Sequence, residues 1–162
     1  MVCYRDVRFK EVTLKTIVIY YSETGNTRQM AEAVATGMKC QAMNILELAP
    51  EGTADYDYIC FCSPVQGGQP APKMLDYIKR LKPVVGKKAA TAFTKHLFGA
   101  GSADRTMRRE LERKGFTVNG SYSCFGWSRL IANFGPRVFM RGHPDAIELE
   151  RAAAFGEKFL SG

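Results

Sequence analysis

A chain of 162 residues, 46% apolar and 24% charged, is long enough for one domain with a full core and too short for two comfortable ones. No uninterrupted apolar run approaches the roughly 18 residues that span a bilayer, and residues 1–15 lack an apolar signal region, so neither a membrane span nor secretion is expected. The net charge of +7 is uneven: residues 79–115 hold 11 Lys/Arg against 3 Asp/Glu, and the remainder is nearly balanced.

Residues 16–21 form a short, continuous, β-rich run, the mark of a strand covered on both faces. A helix follows over 27–38, with Met30, Val34 and Met38 on one side and Ala31 and Ala35 beside them. Residues 40–48 read as a second strand and 56–63 as a third. Pro72 suits the first turn of a second helix, whose Leu75, Ile78 and Leu81 face inward before Pro83 halts it. Residues 89–94 are a fourth strand. Ser102 can cap a third helix, with Met107 and Leu111 inward and Gly115 as its left-handed stop. A fifth strand lies within 116–125, interrupted in tendency by Asn119 and Gly120. After an irregular stretch over 126–143, Pro144 opens a final helix with Leu149, Ala153, Gly156 and Leu160 on one face.

Strand and helix thus alternate from residue 16 onward, which favours a parallel sheet with helices on both faces. Residues 1–14 read as an N-terminal extension and 15–162 as a single domain. Ligands on such sheets sit beyond the carboxyl ends of the strands at a switch point, which singles out the loops after strands one, three and four.

The five cysteines (Cys3, Cys40, Cys60, Cys62, Cys124) are odd in number and have no repeating CxxC spacing. Alternation places Cys60 and Cys62 on one strand face, where free thiols pack as small hydrophobes, and a cytoplasmic protein fits this usage. With His96 and His143 as the two histidines, the residues supply no zinc set, and no metal is assigned. The basic block lacks aromatic interleaving or a nucleic-acid motif, so it reads either as solvated helix faces or as a surface that steers an acidic partner.

The first loop, Ser22-Glu23-Thr24-Gly25-Asn26-Thr27, runs directly into a helix. Four of its six residues carry a hydroxyl or carboxamide, Gly25 permits a tight turn, and the helix N-terminus adds N–H groups and a positive dipole end. Together these can hold a phosphate dianion without a lysine. The loop has neither the Gly-Lys-Ser/Thr ending of a P-loop nor G-x-G-x-x-G. A plain polar N-cap is the structural alternative.

Residues 17–26, Ile-Val-Ile-Tyr-Tyr-Ser-Glu-Thr-Gly-Asn, resemble the signature of flavodoxins, whose T/S-x-T-G-N-T loop wraps the phosphate of flavin mononucleotide (FMN). The resemblance covers the chain from residue 16 to its end. It implies a flavodoxin-like three-layer α/β/α sandwich with a five-stranded parallel sheet in the order 2-1-3-4-5. It also implies phosphate contacts from Ser22, Thr24, Asn26 and Thr27, with backbone N–H groups through Gly25; Glu23 belongs to the same binding loop.

The loop after the third strand, from Ser63, Pro64, Val65 and Gln66 through Gly67 and Gly68 to Pro72, is similar to the family's first ring-binding loop. By that resemblance a peptide near Gly67 turns its carbonyl toward flavin N5 when the flavin gains a proton, stabilising the one-electron semiquinone. Gln66 stands where many members present a stacking aromatic. The loop after the fourth strand, with Thr94, Lys95, His96, Phe98, Gly99 and Gly101, is expected to hold the pyrimidine side through backbone N–H groups, with Phe98 as a stacking partner. Lys95 and His96 depart from the acidic or glycine-rich stretch usual there. They are the candidate catalytic residues, able to favour an anionic reduced flavin or to receive an acidic substrate. The segment 126–134 reads either as packing on the sheet edge or as a lid, with Trp127 and Phe134 stacking and Arg129 pairing with an acid.

Two functions fit. One is an FMN-binding electron carrier that shuttles between redox proteins, docking on an acidic face where family carriers are themselves acidic. The alternative is an FMN-dependent reductase of a quinone-like or other small acidic acceptor, with Lys95, His96 and Arg129 as substrate contacts. A flavodoxin fold that has lost its cofactor fits poorly with a complete phosphate loop.

Overall fold

The computed structural model describes residues 13–127 and 142–162. The expected 1–14 extension, Cys3, and Arg129 and Phe134 of the expected lid lie wholly or almost wholly outside these residues.

Five parallel strands form the sheet: β1 (Thr16–Tyr20), β2 (Ala42–Asn44), β3 (Tyr58–Gln66), β5 (Lys88–Lys95) and β6 (Thr117–Phe125). Their order is β2-β1-β3-β5-β6, and a two-residue strand β4 (Gln69–Pro70) pairs antiparallel with the end of β3. Leaving β4 aside, this is the expected 2-1-3-4-5 order. The helices are α1 (Asn26–Gly37), α2 (Pro72–Arg80), α3 (Ala100–Arg113) and α4 (Ala146–Ser161), with a 3-10 turn over Pro50–Asp55 between β2 and β3. No described helix is long and apolar enough to cross a membrane.

Because successive side chains on a strand alternate faces, the central strands feed two cores. Ile17, Ile19, Ile59, Phe61 and Phe93 meet Met74, Tyr77 and Ile78 of α2 and Met107 and Leu111 of α3. On the other face Val18, Cys60, Cys62, Ala90 and Ala92 meet Met30 and Val34 of α1 and Ala152 and Phe159 of α4. Small residues dominate this second face of β5, so the helices over it sit close. A Cβ on Gly37 would overlap the Ala153 carbonyl, and one on Gly156 the Val34 carbonyl.

Several local expectations are corrected. Strand β2 has three residues rather than nine: Lys39 turns the chain with φ 52° before it, and Asn44 accepts turn hydrogen bonds from Glu47 and Leu48 after it. Strand β3 runs three residues past Ser63, through Pro64, because it is extended into the β4 hairpin. Ser102 is not the cap of α3; Gly99, left-handed at φ 97°, starts the helix three residues earlier. Pro144 precedes α4 rather than opening it, and Asp145 is the N-cap in a reciprocal capping box with Glu148. Of the expected inward residues, Ile78 on α2, Leu81 just after it and Gly156 on α4 are buried, while Leu75, Leu149, Ala153 and Leu160 are half-buried; Met74 and Tyr77 on α2 and Ala152 and Phe159 on α4 face inward in their place. The Asn119–Gly120 irregularity is a bulge: Ala89 pairs with Val118 and Ala90 with Gly120, so Asn119 is the extra residue.

Candidate functional site

At β1 the chain turns one way to β2 and then the other way to β3, so the loops after β1 and β3 diverge and leave a crevice at the carboxyl ends of the strands. A cleft of about 400 Å³ opens there. One wall comes from Glu23, Thr24, Asn26 and Thr27, a second from Pro64, Val65, Gln66 and Gly67, and a third from Thr94 and His96 with Gly126.

The first wall is built for an anion. Gly25 takes a left-handed conformation (φ 92°) at the N-cap of α1, and no side chain caps that helix. The first-turn N–H groups therefore keep their hydrogen-bonding capacity and the positive end of the helix dipole. The surrounding side chains shape the loop as much as they line it. Ser22 Oγ accepts from the Gly25 N–H (3.0 Å), so this serine closes the turn. Asn26 Nδ2 donates to Thr24 Oγ1 (3.1 Å) and to the Trp127 carbonyl, tying the loop to the end of β6. Thr27 Oγ1 lies 2.7 Å from Thr94 Oγ1. One hydroxyl of that buried pair donates to the other, which leaves a second O–H to turn into the cleft.

Among the described residues, no cation lines this wall. Arg28, next along α1, pairs with Glu32 at 2.8 Å, and that hydrogen bond raises the guanidinium pKa above its ordinary value. Glu23 accepts from the Tyr21 hydroxyl (2.9 Å), which holds its carboxylate in a fixed place. Uncapped amides, hydroxyls and a fixed geometry match a flavin phosphate, so the residues fit FMN by chemistry as well as by place.

The second wall is a tight hairpin. Gly67 and Gly68 both have positive φ (57° and 76°), as a two-residue turn joining right-twisted strands requires. The Gln69 side chain anchors the hairpin to α3: its Nε2 donates to Ser102 Oγ (3.3 Å) and its Oε1 accepts from Thr106 Oγ1 (2.7 Å). Ser63 is fully buried; its Oγ accepts from the Ala71 N–H (2.9 Å), supporting the loop from behind.

The third wall touches the second at Gly99, where a Cβ would stand 2.7 Å from Gly68 Cα and 3.2 Å from Val65 Cγ1. His96 Nδ1 lies 2.9 Å from the Gly126 carbonyl. Lys95 turns aside, with Nζ 5.2 Å from the centre of the Phe125 ring. Phe98 is 86% exposed and Leu97 60%, and neither lines the cleft. Gly101 sits inside the first turn of α3.

Ten of the residues expected from sequence line one cleft, while Ser22, Gly25, Ser63, Gly68 and Gly99 shape its loops. Gly126, the first residue of the 126–134 segment, lines the cleft as well, although it is not among the expected cofactor contacts. A Cβ there would meet Asn26 and Thr94 at 3.3 Å, so the glycine lets two loops from distant parts of the chain close on each other. Its only sequence signal is a glycine directly after a strand.

The flavodoxin domain matches residues 17–130 of this chain. An uncharacterised protein of Methanocaldococcus jannaschii is 23% identical over 155 residues, covering 91% of this chain and 99% of its own. Oxidised flavodoxin 2 from Bacillus cereus superposes with a TM-score of 0.68 at 18% identity, covering 91% of this chain and 98% of that one. A flavoprotein from Lactobacillus acidophilus in complex with FMN superposes with a TM-score of 0.52 at 21% identity, covering 68% and 93%.

Proposed function

This chain belongs to the flavodoxin family, whose cofactor is FMN, and on that premise we propose that it is an electron carrier shuttling between redox proteins in the cytoplasm. FMN supplies the electron chemistry when bound, and the protein holds it and sets its potential. The observation that carries the reading is the uncapped N-terminus of α1 behind a left-handed Gly25, facing a cleft at the switch point. In this reading Thr24, Asn26 and Thr27 hold the phosphate. Residues 64–67 with Thr94 and His96 hold the ring, on loops shaped by Gly68 and Gly99.

The α2/α3 layer is basic. Arg105 and Arg109 on α3 are exposed, as are Lys79, Arg80 and Lys82 at the far end of α2, where Lys114 Nζ donates to the Lys79 carbonyl at the end of the sheet away from the cleft. On the opposite layer, α1 and α4 carry nearly balanced charge. Arg105 lies in the second turn of α3, which begins two residues after the exposed Phe98, so positive charge lies on the helix that leads away from the ring loops. Such a surface suits a redox partner with an acidic face, and the encounter is accelerated at low salt. A separate reductase activity has less support, because Lys95 lies over Phe125 and leaves His96 as the basic side chain in the cleft.

The test is the visible spectrum of the purified protein during stepwise reduction. Bound flavin that is reduced in two separated one-electron stages, and that turns over NAD(P)H only when a reductase is added, supports the carrier. A colourless protein that gains no flavin from added FMN refutes it, and so does steady NAD(P)H oxidation by the protein alone.

A further inference from the structure

The end of the sheet opposite the cleft carries a surface that flavin binding does not use. Parallel strands share their amino ends, and the crossover helices bring their C-termini back to that end. There the segment from the last turn of α2 to the start of β5, residues 79–88, holds five bases and no acid: Lys79, Arg80, Lys82, Lys87 and Lys88. Two loops pressed together build it. The Val84 N–H donates to the Lys114 carbonyl (2.7 Å), the Thr117 N–H to the Lys87 carbonyl (3.0 Å), and Lys114 Nζ to the Lys79 carbonyl. A Cβ on Gly115 would stand 2.0 Å from the Val84 carbonyl oxygen, so no side chain fits between the loops.

The positive charge gathered there is not neutralised by ion pairing. Lys87 Nζ donates to the Ala54 and Tyr56 carbonyls, which are neutral partners. Glu51, Asp55, Asp57 and Glu112, the acids toward this end, form no ion pair with the five bases among the described residues. At the tip of the loop, between Lys82 and Lys87, Val85 is 95% exposed. Cations at helix C-termini complement the dipole, which accounts for Lys79, Arg80 and Lys114. The dipole accounts neither for Lys82 nor for an apolar side chain held out in water among lysines.

We propose that this end of the molecule docks on a membrane surface rich in anionic lipid, with Val85 entering the interface and the neighbouring lysines over the headgroups. The charge selects an acidic surface. The apolar tip selects a lipid one: Val85 gains by leaving water for the acyl boundary, and lipid phosphates shift sideways to meet lysines that have no fixed counter-charge. Strand β5 runs eight residues from Lys88 to Lys95. At about 3.3 Å per residue it holds the cleft about 25 Å from the bilayer, open to partners in solution. The inference does not depend on what the bound flavin does.

Co-sedimentation of the whole chain with phosphatidylcholine vesicles containing about 30% phosphatidylserine tests the proposal. The protein should bind at low salt, leave the vesicles near about 1 M salt, and ignore pure phosphatidylcholine. Lys79→Glu with Lys82→Glu should lower the partition at least about twentyfold, since each lysine near such a surface is worth about fivefold. Val85→Ser, which changes no charge, should lower it by about fivefold. Arg105→Glu with Arg151→Glu makes the same change in net charge on the second turns of α3 and α4, and should lower it far less. No binding to the acidic vesicles overturns the proposal, and that measurement needs no variant. An equal loss in the Arg105 and Arg151 variant overturns it too, because net charge would then be the whole cause. So does tighter retention on polyglutamate or duplex RNA, abolished by the Lys79 and Lys82 changes, which assigns the patch to a protein or a nucleic acid instead.

Discussion

Thr27, in the first turn of α1, and Thr94, at the end of β5, share a hydroxyl–hydroxyl hydrogen bond of 2.7 Å across 67 residues of sequence. Both side chains are buried, so each depends on the other for its partner. The bond fastens the first wall of the cleft to the third.

Thr27→Val should therefore destabilise the protein by about 1–3 kcal/mol, the penalty for leaving the Thr94 hydroxyl unpaired in a buried place. Thr94→Val should do the same in reverse. The double variant should lose less than the two single losses added, because no orphan remains. Denaturant unfolding of the four proteins measures this coupling.

Gly99→Ala tests the contact between the two ring loops. A Cβ at Gly99 meets Gly68 Cα at 2.7 Å and also sits at φ 97°, so the substitution carries both a clash and backbone strain. Gly68→Ala, at φ 76° with nothing within 4 Å, carries strain alone. Strain of this kind costs of order 1–3 kcal/mol. FMN affinity, read by flavin fluorescence, should fall further for Gly99→Ala than for Gly68→Ala, by about tenfold for each additional 1.4 kcal/mol.

Gly156→Ala should destabilise without touching the cleft. The new Cβ overlaps the Val34 carbonyl, which pushes α4 away from α1 and opens the core beneath Met30 and Phe159. Overpacking of this sort typically costs about 1–3 kcal/mol, seen as a lower Tm. FMN affinity of the folded fraction should stay close to that of the wild type.

Much of this was legible before the structure. The 22–27 loop announces itself by composition, since hydroxyls and a glycine stand between an apolar strand and a helix, and the walls at 63–68 and 94–101 follow from where a parallel sheet puts its strand ends. What could not be read depends on contacts between distant segments. Gly126 matters because Asn26 and Thr94 arrive beside it, and Gly156 because Val34 does. Local signals also competed: Ser102 and Pro144 are good helix starters, yet Gly99 and Asp145 start the helices, because a left-handed turn and a two-sided capping box hold the chain there. Composition marks Ser22 and Asn26 as loop residues able to bond an anion but not that Ser22 Oγ accepts from the Gly25 N–H, or that Asn26 Nδ2 donates to Thr24 Oγ1 and the Trp127 carbonyl, contacts that only the folded loop brings together.

The thiols predict a loss of stability at high pH. Burial, aided by Glu148 and Asp145, pushes the Cys124 thiol up to about 12, and burial pushes Cys62 up in the same direction. The folded protein keeps these protons where the unfolded chain releases them. Their contribution is therefore complete below the ordinary thiol range near 9 and is lost as pH climbs toward about 12. Denaturant midpoints taken between pH 7 and 11 should fall at the alkaline end, and Cys124→Ser, which has no thiol to ionise, should show a shallower decline.

The central claim is that the first wall of the cleft binds a phosphate through helix N–H groups and hydroxyls. Titration of the flavin-free protein with FMN and, separately, with riboflavin tests it most directly, since the two ligands differ only in the phosphate. FMN should bind at least about a hundredfold more tightly, a difference of roughly 2.7 kcal/mol, the scale of two charge-assisted hydrogen bonds. Equal affinity for the two flavins, or binding of neither, would contradict the account.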